Sequence, residues 1–154
     1  MQPSSKIIIS DTSCIILLHK INEIELLHKF NKTVCITSVI KAEFNYPIPP
    51  WIEIKDPIDK QYSKILALEL DEGETSAIAL SLEIDDSILL IDDLKGRRIA
   101  EKLKLRYSGT FGLILRAKQE GIIGEIKPII EKIKKTNFRF SEILLKSVLE
   151  QAGE

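Results

Sequence analysis

The chain has 154 residues, a formal net charge of −1, 44% hydrophobic side chains and 29% charged ones. That length suits one domain that buries about two thirds of its unfolded surface. The near-neutral charge excludes a protein that coats nucleic acid by charge alone, and apolar runs of no more than about five residues exclude a transmembrane helix.

Ile7-Ile8-Ile9-Ser10 is a β-branched run of the kind buried on both faces of a parallel sheet, and it ends in Asp11-Thr12-Ser13. The stretch Met1–Lys6 before it has no apolar core, so no secretory leader is expected. Helical pattern follows at about 13–20 and 23–30, with a break at Asn22. Cys14 and Cys35 sit in apolar settings without CxxC spacing and are expected as reduced thiols of a cytoplasmic protein.

Thr33-Val34-Cys35-Ile36 predicts the second strand, and Thr37-Ser38 supplies a capping hydroxyl for a helix through Phe44. The proline-rich stretch Tyr46-Pro47-Ile48-Pro49-Pro50 cannot continue that helix. Trp51–Lys55 alternates as a short edge strand, and a helix is expected over about 59–69. Asp71-Glu72-Gly73-Glu74 opens a helix from Thr75 to Glu83, and Asp71-x-x-Glu74 fits a capping box. The buried strand Ile88–Ile91 then ends in Asp92-Asp93. A helix over about 95–104, a last strand near Leu105–Ser108 and a helix from Thr110 to Gly121 follow, with Thr110 as cap. Two C-terminal helices, about 126–135 and 141–151, complete the chain. In the second, Ile143, Leu144, Val148 and Leu149 mark an apolar side behind a Ser141 cap, and that side needs a docking surface. Strand and helix alternate throughout. The expected class is α/β: a three-layer α/β/α sandwich around a mostly parallel sheet, in one domain over 1–154 with a helical extension from about 126.

Both buried strands deliver carboxylates to one sheet edge, where the crevice of an open parallel sheet lies. Such a cluster repels itself unless a hard cation neutralises it, which points to metal-dependent phosphoryl transfer. Each acid also has a plainer reading: Asp11 as a helix cap, Glu43 as a solvated helix residue, Glu74 as half of the capping box. The doublet Asp92-Asp93 is harder to explain by stability alone. Residues 69–93 hold nine acidic side chains and no basic one, whereas 95–106 hold six basic ones against the single Glu101. A haloacid-dehalogenase-type phosphatase is excluded by Ser13, which stands where its second Asp is needed. There is no glycine-rich phosphate loop. His19 and His28 lie among leucines and read as packing or surface residues, so no zinc set assembles.

The blocks Ser10-Asp11-Thr12-Ser13, Thr37–Glu43, Leu70–Ile78, Leu90–Asp93 through Arg97–Ala100, and Gly109-Thr110-Phe111-Gly112 stand in a recognisable order. In that order the chain resembles the PIN-domain family of compact metal-dependent nucleases, which includes VapC-like toxins and a prokaryotic subgroup of nucleic-acid-binding PIN proteins. The resemblance implies an endoribonuclease, the toxin half of a toxin–antitoxin pair, with Mg²⁺ or Mn²⁺ held by Asp11, Glu43, Glu74 and Asp93, or Asp92 in its place. It implies that Thr12 and Ser13 bond the first acid or its water, and Lys95, Arg97 or Arg98 would steady the substrate backbone. A homodimer, a small antitoxin and an RNA substrate are the implied partners, with no membrane. The alternative is a module of the same fold that binds RNA or a protein without cleaving.

Overall fold

The computed structural model describes residues 5–154, and the expectation of no leader falls partly on Met1–Ser4, outside the described residues. Five strands, all parallel, form one sheet in the order β3-β2-β1-β4-β5: β1 Ile7–Ser10, β2 Thr33–Ile36, β3 Ile52–Ile54, β4 Ser87–Leu90 and β5 Tyr107–Ser108. Helices cover both faces to give three α/β/α layers: α1 Thr12–Lys20, α2 Glu25–His28, α3 Ser38–Phe44, α4 Lys60–Leu66, α5 Glu72–Glu83, α6 Leu94–Lys102, α7 Thr110–Gln119, α8 Lys127–Lys134 and α9 Glu142–Ala152.

The core follows from the sequence runs. Ile8, Ile9, Ile88 and Leu89 are at most 1% exposed, so the two central strands are covered on both faces, as a continuous apolar run requires. Their register pairs Ser10 with Leu90, and the Asp11 N–H donates to the Leu90 carbonyl at 2.9 Å. The two acidic strand ends therefore lie side by side. From β1 the chain first winds toward β2 and β3 and later returns to add β4 and β5 on the other side. The gap beyond β1 and β4 is the point where the winding reverses, and there the flanking loops part to leave a crevice.

Several local expectations meet a different outcome. Helix α2 is a single turn, and Asn22 turns the chain before it in the left-handed region at φ 58°. Helix α5 begins at Glu72 rather than Thr75, because the Asp71 capping box closes its first turn. Strand β4 ends at Leu90, one residue early. Gly109, not Thr110, is the N-cap of α7, because the Thr110 hydroxyl is taken by Asp92. In α9 the buried positions are Leu145 and Val148, packed toward α7, whereas Ile143 is 83% exposed and Leu144 is exposed as well. Ser141 does cap that helix, accepting from the Leu144 N–H at 3.0 Å. Cys14 and Cys35 are free thiols in the interior. Among the described residues no helix is long and apolar enough to cross a membrane.

Candidate active site

A cavity of about 900 Å³ opens at the crevice beyond β1 and β4. Asp11, Glu43, Glu74, Asp92 and Asp93 all line it, together with Thr12, Ser13 and Arg97. Asp71, which the sequence marks only as a helix cap, lines it too.

Asp11 stands at the N-cap position of α1 but makes no side-chain capping bond, so its carboxyl is left to the cavity. It is 4% exposed. Burial pushes its pKa up to about 7; the Thr12 N–H beside it works the other way, and the charges of Asp71, Glu43 and Asp92 add to the rise. Glu43 projects from the last turn of α3 and accepts from the Thr12 hydroxyl at 2.5 Å. Thr12 thus ties the start of α1 to the end of α3. This approach is possible because residue 73 is glycine: a Cβ there would collide with the Glu43 carboxylate and lie 2.8 Å from the Thr12 hydroxyl.

Glu74 is part of the capping box. Its N–H donates to Asp71 at 2.8 Å, and its carboxyl accepts from the Asp71 N–H at 3.3 Å. Burial raises its pKa to about 8, opposed by that N–H and reinforced by the Asp93 and Asp71 carboxylates. The Asp92-Asp93 doublet divides its labour. Asp93 caps α6 by accepting from the Gly96 N–H at 2.9 Å. Asp92 accepts from both the N–H and the hydroxyl of Thr110, at 2.8 and 2.6 Å, and so fastens α7 to the end of β4. Both carboxylates still border the cavity.

The cations separate. Arg97 reaches the cavity with its guanidinium 5.4 Å from the centre of the Tyr107 ring. Lys95 pairs instead with Glu69 at 3.6 Å, and neither it nor Arg98 borders the cavity. Arg139, which lies between two phenylalanines and outside every block that carries the family resemblance, does border it. His19 packs near Phe44 and Tyr46, and His28 stacks on Trp51, so neither histidine enters the site.

A family model described as a PIN domain matches residues 7–154. The chain belongs to the PIN-domain family. PIN domains are generally nucleases that use divalent metals, so a nuclease-type function follows from the membership. No curated protein and no solved structure matches the chain.

The donors in this PIN domain are carboxylate and hydroxyl oxygens without histidine or thiol, the set preferred by a hard cation. Among the described residues no three acidic, histidine or cysteine side chains converge into a ready-made cage. A hard divalent cation is bound through oxygen ligands, carboxylate and water alike. The raised pKa values of Asp11 and Glu74, caused first by burial and then by the neighbouring carboxylates, mark acids whose charged form a cation would favour.

Proposed function

We propose that this PIN domain is a metal-dependent endoribonuclease that hydrolyses RNA phosphodiester bonds in the cytoplasm. The observation that carries the reading is Asp11, a buried carboxyl at the switch point of the sheet that caps nothing and faces other carboxylates across a cavity. Asp11, Glu43 and Asp93, or Asp92, would hold Mg²⁺ or Mn²⁺, with Glu74 and Asp71 closing the site from α5. A divalent ion bound there would supply Lewis-acid stabilisation of the charge on the phosphorus oxygens and would lower the pKa of a water so that it could attack once deprotonated.

The chain's own residues do the rest. Thr12 holds Glu43 in its rotamer, and Thr110 holds Asp92. Ser13, exposed at the rim, offers a hydroxyl to water or substrate. Arg97, fixed over Tyr107, contacts a phosphate of the strand. We place this activity in the toxin half of a toxin–antitoxin pair, with a small antitoxin and a second copy of the chain as partners. Tyr62 and Ile65 on α4, with Ile58 and Leu68 just beyond its two ends, are exposed, and exposed large apolar side chains near one element support a protein that binds others.

The test is cleavage of a single-stranded RNA oligonucleotide by the purified protein in magnesium or manganese, with EDTA and Asp11→Asn as controls. Cleavage lost in both controls is expected. Cleavage that survives EDTA or Asp11→Asn overturns the mechanism, and RNA binding without any cleavage would assign the chain to the non-catalytic alternative.

A further inference from the structure

The acidic cavity continues past its carboxylates to an aromatic wall. Phe138, Arg139 and Phe140, in the segment between α8 and α9, line its far side with Phe111 and Leu144. Phe111 is buried, and its ring centre lies 5.1 Å from that of Phe140 and 6.2 Å from that of Phe138. Phe138 and Phe140 are only half-buried. The segment is anchored at both ends: the Phe138 N–H donates to the Thr136 hydroxyl at 3.1 Å, and Ser141 caps α9. Packed on Phe111 and held at both ends, the two rings are presented to the cavity at low entropic cost.

We propose that Phe138 and Phe140 form a shelf on which one unpaired base of RNA stacks beside the phosphodiester to be cut, with Arg139 on a neighbouring phosphate. The inference rests on the nuclease reading and adds a base-stacking subsite to it. One cavity joins three features that a nucleotide needs: oxygen donors for a cation and its phosphate, two guanidinium groups for backbone charge, and aromatic rings for a base. Among the described residues, Arg97 and Arg139 are the only cations on its lining. Stacking on aromatic rings is tolerant of sequence and needs a base free of its duplex, so the shelf selects single-stranded over paired RNA.

The test uses the full chain and a twelve-nucleotide single-stranded RNA in which one abasic ribose is moved stepwise past the cleavage site. For the wild-type protein, one position should lower kcat/KM about ten-fold. Phe138→Leu/Phe140→Leu keeps apolar packing but removes the π faces. It should cut intact RNA about ten-fold less efficiently and lose the abasic penalty, because the base then has nothing to stack on. Should that double variant fail to fold, the exposed Arg139→Gln carries the test: KM should rise several-fold with kcat unchanged.

An abasic penalty that persists in the leucine pair, or that appears at no position, overturns the shelf and leaves the rings as a contact for a protein partner. An Arg139→Gln variant with unchanged KM does the same. Failure of the wild-type protein to cut any RNA in magnesium or manganese overturns the nuclease reading and the shelf with it.

Discussion

Thr110 grips Asp92 with both of its donors, the N–H on Oδ1 at 2.8 Å and the hydroxyl on Oδ2 at 2.6 Å. The hydroxyl proton is thereby committed to the carboxylate, so the buried Cys14 thiol, 3.3 Å away, donates to the Thr110 oxygen. The same close approach requires glycine at 109, where a Cβ would lie 2.7 Å from Asp92 Oδ1. Replacing Thr110 by valine keeps the shape and the N–H but removes a charge-assisted bond, at a cost of about 1.5–3 kcal/mol. Urea denaturation should show that loss, while Thr110→Ser stays near wild type. A valine variant within about 0.5 kcal/mol of wild type would mean that Asp92 is held by the backbone alone.

Asp11 sets a pH dependence of defined sign. Its pKa is about 7 in the folded chain against an ordinary 3.8, so between those values the folded state holds more protons than the unfolded one. The Asp11 contribution to the stability of the metal-free protein therefore falls as pH rises from about 4 to 7 and is level above that. Glu74, raised to about 8, extends the fall. Asp11→Asn removes the Asp11 contribution and should be the more stable protein at pH 8, by on the order of 1–4 kcal/mol, with little difference at pH 4. Thermal melts of both proteins in EDTA across that range check it. A variant less stable than wild type at pH 8 would show that the carboxylate supports the fold.

Metal binding should run against the same protons. With Asp11 and Glu74 partly protonated near neutrality, taking up manganese should release about one proton, and affinity should climb between pH 6 and pH 8. Titration calorimetry in two buffers of different ionisation enthalpy measures the proton count. Ion present at 100 times its Kd should add about 2.7 kcal/mol to the stability of the folded state. Binding with no proton release would place the ion away from these two carboxyls.

Gly73 separates stability from activity. A methyl group there meets the far end of the Glu43 side chain, which can swing aside, and also the Thr12 hydroxyl at 2.8 Å, which must turn away; against that, alanine improves a helix by up to about 1 kcal/mol over glycine. Gly73→Ala should therefore fold with stability close to wild type. Glu43 would be displaced from Thr12, and a misplacement of about 1 Å at a reacting centre costs about 100-fold in rate. Steady-state cleavage beside a melting curve tests the pair of outcomes, and full activity in Gly73→Ala would remove Glu43 from the mechanism.

The two cations at the start of α6 should behave differently. Lys95 is exposed and paired with Glu69 outside the cavity, so Lys95→Ala should leave both cleavage and stability close to wild type. Arg97 faces the cavity over Tyr107, so Arg97→Ala should weaken RNA binding and flatten its salt dependence by about one counterion. Filter binding at several salt concentrations distinguishes them. Equal losses in both variants would mean that RNA tracks along the outside of α6.

The strands and caps were legible in the sequence because their causes are local. A run such as Ile7–Ile9 can only be satisfied by burial on both faces, and the hydroxyls of Thr37 and Ser141 and the carboxylate of Asp71 act on N–H groups three residues away. The position of Asp11 at a strand's end followed from the same run. What the residues face across the fold was not legible. Asp71 reads as a cap, and nothing near it in the sequence says that it also shares a cavity with Asp11. The doublet Asp92-Asp93 announces two acids, but which holds α7 and which caps α6 depends on where Thr110 arrives from 18 residues away. Phe138, Arg139 and Phe140 look like a linker until the segment is laid across the crevice. Ile143 is at least as apolar as the buried Leu145 two residues on, and only the direction of α7 decides which is covered. Short-range hydrogen bonds and burial periodicity are written into a few adjacent residues. The convergence of a site is set by the order in which β1 and β4 meet at the centre of the sheet, and that is a property of the whole chain.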